Sequence, residues 1–218
     1  MNGETNHGET GLTEDLFREK SFSPNTNLRF LRSSVVAFSV CSLLSVFSAC
    51  GSAPVSQRPT LAPYIPTPQD VVDRMLADAN VTSSDVVYDL GSGDGRIVIT
   101  AAKTYGARGV GIDIDADRIS ESRSNARAAG VSALVEFQRG DIEQADVSRA
   151  TVVTLYLTSS TNLKLRPVLT RQLRPGARIV SHAFGMGDWQ PEKVDRFKDL
   201  QGDDRVVYLW KADGMIRP

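Results

Sequence analysis

The sequence contains few residues of the kinds that bind metals or form disulfides. Of its 218 residues, only two are cysteine and two are histidine. Cys41 and Cys50 both lie in or beside an N-terminal apolar stretch, so no thiol follows position 50. His7 lies in a polar leader, and His182 is isolated in sequence. Because zinc sites combine several cysteine and histidine ligands, we expect no metal site and no disulfide in the rest of the chain.

The sequence also lacks a large excess of charge of either sign. Its formal net charge is -1, with 23% of the residues charged. Because an acidic nucleic acid is attracted by an excess of positive charge, we expect no nucleic-acid partner. The 41% content of hydrophobic residues is typical of one ordinary globular domain.

The N-terminal part of the chain does not have the composition of that domain. Residues 1–32 are mostly polar and end in a basic region with Arg29 and Arg32. They contain too few large apolar side chains to offset the entropy of folding, so the sequence predicts a disordered leader. Residues 33–50 form an uncharged hydrophobic segment. A basic region followed by such a segment is typical of an N-terminal signal.

Three interpretations of the hydrophobic segment are open: a cleaved signal, an uncleaved anchor, and a leader that is not exported or that results from a mis-assigned start. The small residues Ser48 and Ala49 before Cys50 resemble the cleavage box of a bacterial lipoprotein, in which the cysteine carries the lipid. The alternative is an uncleaved membrane anchor, for which the segment is slightly short. Either of the first two predicts a membrane-associated or exported protein and leaves the side of the membrane open. Residues 51–63 are predicted as a linker, and residues 64–218 as the folded domain.

The folded domain alternates short β-branched runs with amphipathic helical patterns. This order predicts an α/β fold with a doubly wound, mostly parallel, Rossmann-like sheet, helices on both faces and an antiparallel C-terminal hairpin. The predicted helices are 70–79, 97–105, 116–129 and 162–173; the predicted strands are 86–90, 109–113, 134–137, 151–157 and 177–184, with the hairpin at 194–197 and 206–210.

A glycine-rich turn follows the first predicted strand and precedes a helix. It contains Gly91, Gly93 and Gly95 within the sequence DLGSGDGR. Glycine permits a positive φ and a close approach of the backbone to a ligand at the carboxyl ends of the strands. A dinucleotide fingerprint would place its third glycine at the position of Arg96. The observed spacing therefore favours a ligand that has an amino-acid tail and no pyrophosphate.

An acidic residue, Asp113, ends the second predicted strand. A carboxylate at this place accepts hydrogen bonds from both hydroxyls of a ribose. Dinucleotide-binding and other nucleoside-binding folds share this feature. Asp113 therefore predicts a nucleoside ligand without identifying it.

Together these motifs resemble those of class I S-adenosylmethionine (SAM)-dependent methyltransferases. The resemblance rests on DLGSGDGR, Gly111-Ile112-Asp113 and Gly140-Asp141-Ile142. It implies that SAM is the cofactor and that transfer of its methyl group is the activity. It also implies the following contacts: the glycines at 91, 93 and 95 with the methionine part of SAM, Asp89 with the turn and the cofactor ammonium, Asp113 with the ribose, Asp141 with the adenine amino group, and Ile114 and Ile142 with the faces of the adenine ring. For Asp141, a plain turn residue is the alternative.

A narrower resemblance extends over most of the domain. Its motifs are PTP at 66–68, TVVTLYL at 151–157 and LRPGARIV at 173–180, followed by Trp189. They are similar to small bacterial relatives of the mitochondrial lysine methyltransferases that modify the ATP synthase c subunit and the adenine nucleotide translocase. The resemblance implies a methyl acceptor that is a protein lysine.

Two aromatic residues are candidates for the acceptor pocket. Tyr156 lies at the end of the fourth predicted strand, and Trp189 lies beyond the fifth. An aromatic face holds an ammonium group by cation-π attraction. Plain packing in the core is the alternative for both. His182, within an apolar strand, is expected to be a core residue and not a base.

Two other functions compete with the methyltransferase. A dinucleotide-dependent oxidoreductase would use the same ribose carboxylate, although Arg96 does not fit its fingerprint. A non-catalytic binding module that retains the SAM fold, carried as an exported lipoprotein, would face a compartment without a methyl donor. The location of the domain separates this last alternative from the enzyme.

Overall fold

A computed structural model describes residues 64–218. The predictions for the leader, the hydrophobic segment and the linker concern residues outside this range. In the described part, no helix has both the length and the apolar character needed to cross a bilayer. The helices are Gln69–Asp78 (α1), Arg96–Tyr105 (α2), Ala116–Ala128 (α3) and Ser159–Gln172 (α4), with a short 3-10 helix at Ile142–Gln144. The strands are Val86–Leu90 (β1), Arg108–Asp113 (β2), Val135–Arg139 (β3), Val152–Leu155 (β4), Arg178–His182 (β5), Lys193–Lys198 (β6) and Asp204–Lys211 (β7).

The strands form one sheet in the order β3-β2-β1-β4-β5-β7-β6. The first five strands in this order are parallel. β7 pairs antiparallel with β5 and with β6. This arrangement confirms the predicted doubly wound sheet with its antiparallel hairpin. The strand order reverses between β1 and β4, and ligands bind at such a point, beyond the carboxyl ends of the strands.

Hydrophobic side chains cover both faces of the sheet. On one face, Val71 and Met75 of α1 pack in a buried cluster with Val98 of α2. On the opposite face, Leu165 of α4 packs in a second cluster with Leu155 of β4. A parallel strand that is buried on both faces appears in the sequence as a continuous run of apolar residues, as TVVTLYL does.

Helix α4 begins earlier than the prediction of 162–173. Thr158 caps its N-terminus, and the side chain of Thr158 accepts a hydrogen bond from the backbone N–H of Thr161 at 3.3 Å. Serine and threonine are poor residues for a helix interior but favourable at its start, because they hydrogen-bond to free backbone groups. Pro167 lies inside the helix.

Strands β4 and β5 are shorter than predicted. β4 ends at Leu155 and β5 ends at His182. Tyr156 and Ala183 therefore belong to the turns that follow these strands, at the edge of the sheet where ligands bind.

Candidate functional site

The turn after β1 brings the chain close to β2. Gly91, Gly93 and Gly95 have φ values of +83°, +51° and +81°. The backbone N–H groups of Gly91 and Ser92 both donate to the carbonyl oxygen of Ile112, at 2.8 and 3.0 Å. The positive φ angles are the conformation that glycine adopts without strain.

Asp113 at the end of β2 faces this turn. Its Oδ2 accepts a hydrogen bond from the N–H of Gly93 at 2.8 Å, and its Oδ1 accepts one from the N–H of Asp115 at 3.0 Å. Each carboxylate oxygen has two lone pairs, so both oxygens retain an acceptor position. The backbone thus orients a carboxylate that can accept two further hydrogen bonds from vicinal hydroxyls.

Asp89 at the end of β1 is a buried acid. It is 3% exposed, and its Oδ1 accepts a hydrogen bond from Thr154 Oγ1 at 2.8 Å. Burial is the main reason why the pKa of Asp89 is raised to about 7, and the neighbouring carboxylates Asp113 and Asp94 raise it further. A cation placed beside Asp89 would stabilise its ionised form.

The loop after β3 supplies a third side of the site. Asp141 is the N-cap of the 3-10 helix and accepts a hydrogen bond from the N–H of Glu143 at 3.0 Å. Ile142 is buried beside it. Asp141 therefore acts as a turn residue, which was the alternative that the sequence left open. The other carboxylate oxygen of Asp141 accepts a hydrogen bond from the side-chain amide of Gln144 at 3.3 Å.

These elements enclose a cavity of about 340 Å³ at the carboxyl ends of β1, β2 and β4. This volume lies within the range of small-molecule sites. The cavity brings together seven of the residues predicted from the sequence: Asp89, Gly91, Asp113, Ile114, Asp141, Ile142 and Tyr156.

Three other predicted residues do not line this cavity. A Cβ atom on Gly93 would lie 2.3 Å from the Tyr64 ring, and one on Gly95 would lie 2.6 Å from the Phe137 ring. Glycine is needed at both positions because aromatic rings pack directly against the backbone. Trp189 packs instead near Trp210, with ring centroids 6.2 Å apart, so the expected aromatic wall at this position is not present.

Residues 64–67 form a strap over the cavity; of these residues the sequence indicated only Tyr64, as one that either closes over SAM or anchors the linker. All four residues line the cavity. Arg96 Nη1 donates to the carbonyl oxygen of Thr67 at 2.7 Å, while Arg96 Nη2 pairs with Asp94 at 2.6 Å. The Arg118 guanidinium lies over the Tyr64 ring, 4.3 Å from its centroid. The strap is thus held at both ends by arginines, one from α2 and one from α3. The PTP motif at 66–68 is the sequence feature that could have located this strap.

The charges on the cavity wall favour a cationic ligand. The three basic side chains on the wall are paired: Arg96 with Asp94, Arg118 with Glu121, and Lys164 with Glu143 at 3.8 Å. The wall also carries a larger set of carboxylates, namely Asp89, Asp94, Asp113, Asp115, Asp141 and Glu143. SAM carries an ammonium and a sulfonium against one carboxylate and so has a net positive charge, whereas a dinucleotide has an anionic pyrophosphate that these carboxylates would repel. The residues present therefore fit SAM.

Comparison with known proteins agrees with this fit. A family model described as the ANTKMT methyltransferase domain matches residues 89–193. A protein-lysine N-methyltransferase of Saccharolobus islandicus is 44% identical over 149 residues, which cover 68% of this chain and 92% of the relative. The adenine nucleotide translocase lysine N-methyltransferase of Mus musculus is 32% identical over 151 residues, and the match spans 62% of the mouse protein.

A solved structure is similar over nearly its whole length. It is the crystal structure of an RNA methyltransferase from Salinibacter ruber in complex with S-adenosyl-L-homocysteine. Its sequence is 57% identical, its TM-score is 0.66, and the match covers 70% of this chain and 97% of that chain.

The sheet order, the glycine turn and the acid-lined cavity define a class I SAM-dependent methyltransferase. The chain belongs to the methyltransferase family that includes the Saccharolobus relative. It is an enzyme that transfers a methyl group from SAM to an acceptor, as the motifs predict, and the dinucleotide-dependent alternative is set aside.

Proposed function

We propose that the methyl acceptor is a lysine side chain of a protein. The observation that carries this proposal is the composition of the cavity. Its wall contains carboxylates together with Tyr156 and Leu157, the two residues that follow β4. The names of the Saccharolobus and mouse relatives support the same acceptor.

The charge of the cavity favours lysine over RNA. A lysine ammonium approaching the site meets carboxylates that attract it, whereas a phosphate backbone meets the same groups with like charge. The name of the Salinibacter structure makes RNA the alternative acceptor. One experiment should therefore distinguish a protein acceptor from an RNA acceptor.

The lysine must lose its proton before it accepts a methyl group. Leu157 is 7% exposed and Tyr156 is partly buried, so this end of the cavity removes an incoming side chain from water. Removal from water disfavours the charged form of an amine and lowers its pKa. The Tyr156 ring then contacts the cationic product by cation-π attraction.

The cofactor contacts expected from the sequence form part of the proposal. Asp113 holds the ribose, Asp141 accepts from the adenine amino group, and Ile114 and Ile142 pack against the adenine ring. Gly91 approaches the methionine part, and Asp89 pairs with its ammonium. When bound, SAM supplies a methyl group on a sulfonium. The chain contributes alignment of the acceptor and exclusion of water, which is the main requirement for this transfer.

Labelling of cell extracts tests the acceptor. The full chain is incubated with methyl-labelled SAM and with membrane or soluble extract, and each sample is then treated with protease or with ribonuclease. We expect the label to be lost on protease treatment and to be recovered as methyl-lysine after hydrolysis. Label that is lost only with ribonuclease would establish RNA as the acceptor and contradict the proposal.

Matched variants connect this labelling to the cavity. Asp113→Ala is expected to abolish labelling, because it removes the carboxylate held by Gly93 and Asp115. Asp117→Ala is the control, because Asp117 is an exposed acid in the first turn of α3. Labelling that survives Asp113→Ala would refute the site assignment.

We further infer that residues 33–50 attach the enzyme to a membrane, by a lipid on Cys50 or as an uncleaved anchor. The support is the sequence pattern of a basic region, a hydrophobic segment and Ser48-Ala49-Cys50. Fractionation of cells that express the wild type or Cys50→Ala, with mass spectrometry of the mature N-terminus, distinguishes lipid from anchor. Recovery of the uncleaved wild type in the soluble fraction would contradict both.

A further inference from the structure

Two aromatic rings meet behind the acceptor end of the cavity. Tyr156 follows β4 and His182 ends β5, and these strands are parallel neighbours in which Leu155 pairs with Ser181. The ring centroids of Tyr156 and His182 are 4.2 Å apart, and the ring planes are tilted by 33°. Tyr156 lines the cavity, whereas His182 does not. His182 therefore contacts the site through Tyr156.

His182 is buried, and one of its two ring nitrogens lacks a hydrogen bond. It is 1% exposed, and its Nδ1 has no hydrogen-bond partner among the described residues. Burial is the main reason why its pKa is lowered to about 4, and Arg205 lowers it further, against the smaller opposing effect of Asp199. The imidazole is thus neutral at physiological pH, and its ring face is its main contact with the site.

The backbone after His182 is held in a strained turn. The N–H of Phe184 donates to the carbonyl oxygen of His182 at 2.8 Å, which closes a γ-turn around Ala183. Ala183 has a φ of +67°, a region that side chains other than glycine rarely adopt. The N–H of Ala183 donates to the carbonyl of Val206 at 2.9 Å, and Ser181 Oγ donates to the carbonyl of Phe184 at 2.6 Å. These bonds end β5 at His182 and fix the place of its ring.

We propose that His182 is a positioning residue for methyl transfer: its uncharged ring supports Tyr156 from behind and holds the phenol ring in the orientation that receives the acceptor amine. This inference rests on the proposed function, because it places the acceptor beside Tyr156. A neutral ring adds no positive charge beside the acceptor nitrogen, on which positive charge develops during transfer. The nearby Arg205 is paired with Asp199 and Asp203.

Two substitutions separate this role from plain packing. His182→Phe keeps an aromatic face, whereas His182→Leu keeps burial but removes the ring. We expect the phenylalanine variant to retain kcat within about threefold and the leucine variant to lose about tenfold or more. The Kd for SAM is expected to be unchanged in both, because the cofactor contacts lie elsewhere in the cavity.

A matched control accounts for loss of stability. Val207 is buried and pairs with His182 across β5 and β7. Val207→Ala is expected to lower the Tm, as removal of buried methyl groups does, and to leave kcat unchanged. A kcat that falls equally in Val207→Ala and His182→Leu would reduce His182 to a packing residue and overturn the proposal.

Nuclear magnetic resonance gives a readout that does not depend on the acceptor. With ring-labelled tyrosine, the signal of Tyr156 is identified by its loss in Tyr156→Phe. The rate at which the Tyr156 ring flips is expected to be unchanged in His182→Phe and to rise in His182→Leu, because the supporting ring is lost. An unchanged flip rate in His182→Leu, or equal losses of kcat in the two variants, would refute the role. Kinetics are measured with whichever acceptor the wild type methylates. If that acceptor is not a lysine, the result contradicts the proposed function, and the role of His182 is still judged from its variants with that acceptor.

Discussion

The affinity for SAM is expected to depend on the ionisation of Asp89. In the free protein, burial and the neighbouring acids raise the pKa of Asp89 to about 7. The ammonium of SAM stabilises the ionised carboxylate, so binding lowers this pKa towards its ordinary value. Below about pH 7, binding must therefore expel a proton from Asp89, and the affinity falls as the pH falls.

The size of the effect follows from the fraction of Asp89 that is ionised before binding. With a pKa of about 7, roughly a tenth of the carboxyl groups are ionised at about pH 6 and roughly three quarters at about pH 7.5. The Kd should therefore tighten about eightfold between these two values. This interval lies below the ordinary pKa of an α-amino group, so the SAM ammonium stays largely charged.

The stability of the free protein should change in the opposite direction. A carboxyl group whose pKa is raised by folding stabilises the fold while it is protonated, and this contribution is lost as the pH rises through about 7. Over the same interval the loss is about 1.3 kcal/mol. Affinity and stability thus respond to pH with opposite signs.

Isothermal titration calorimetry at both pH values, in two buffers of different ionisation enthalpy, measures the Kd and the protons released. Asp89→Asn is the matched control, because the amide oxygen still accepts from Thr154 Oγ1 while the titrating group is removed. We expect the eightfold change and a release of about one proton at the lower pH in the wild type only. A Kd with the same pH dependence in both proteins would refute the role of Asp89.

Three further predictions concern the neighbours of Asp89. Asp113→Asn should weaken SAM binding by about tenfold or more, since a charged acceptor is lost; an unchanged Kd in calorimetry would contradict the ribose contact. Gly95→Ala should lower the free energy of unfolding by about 1–3 kcal/mol, because its Cβ meets the Phe137 ring; denaturant titration measures this, and wild-type stability would exclude the contact. Arg96→Ala should speed cofactor dissociation about fivefold by releasing the Thr67 carbonyl, and equal rates in stopped-flow fluorescence would argue against a strap.

The parts of the site that depend on one strand and the turn after it could be predicted from the sequence. Asp89 and Asp113 end buried apolar runs, and the parallel arrangement of β1 and β2 places their carboxyl ends at the same edge of the sheet. The parallel arrangement of the strands followed from the alternation of strand and helix patterns. For the same reason the residues after β3, Asp141 and Ile142, were expected at this edge.

The parts that depend on packing between distant elements could not be predicted. Trp189 was expected in the pocket because it follows β5, but the direction of a loop after a strand is not encoded in periodicity. His182 appeared to be an interior residue of a longer strand, whereas β5 ends at it. The strap at 64–67 reaches the cavity through Arg96, a contact between residues that are 29 positions apart.

A crystal structure of the protein with S-adenosylhomocysteine would show directly how the cofactor lies in the cavity. We expect the ribose hydroxyls to contact Asp113, the adenine ring to lie between Ile114 and Ile142, and the sulfur to face Tyr156. A sulfur turned away from Tyr156, or a ribose that does not contact Asp113, would contradict this arrangement.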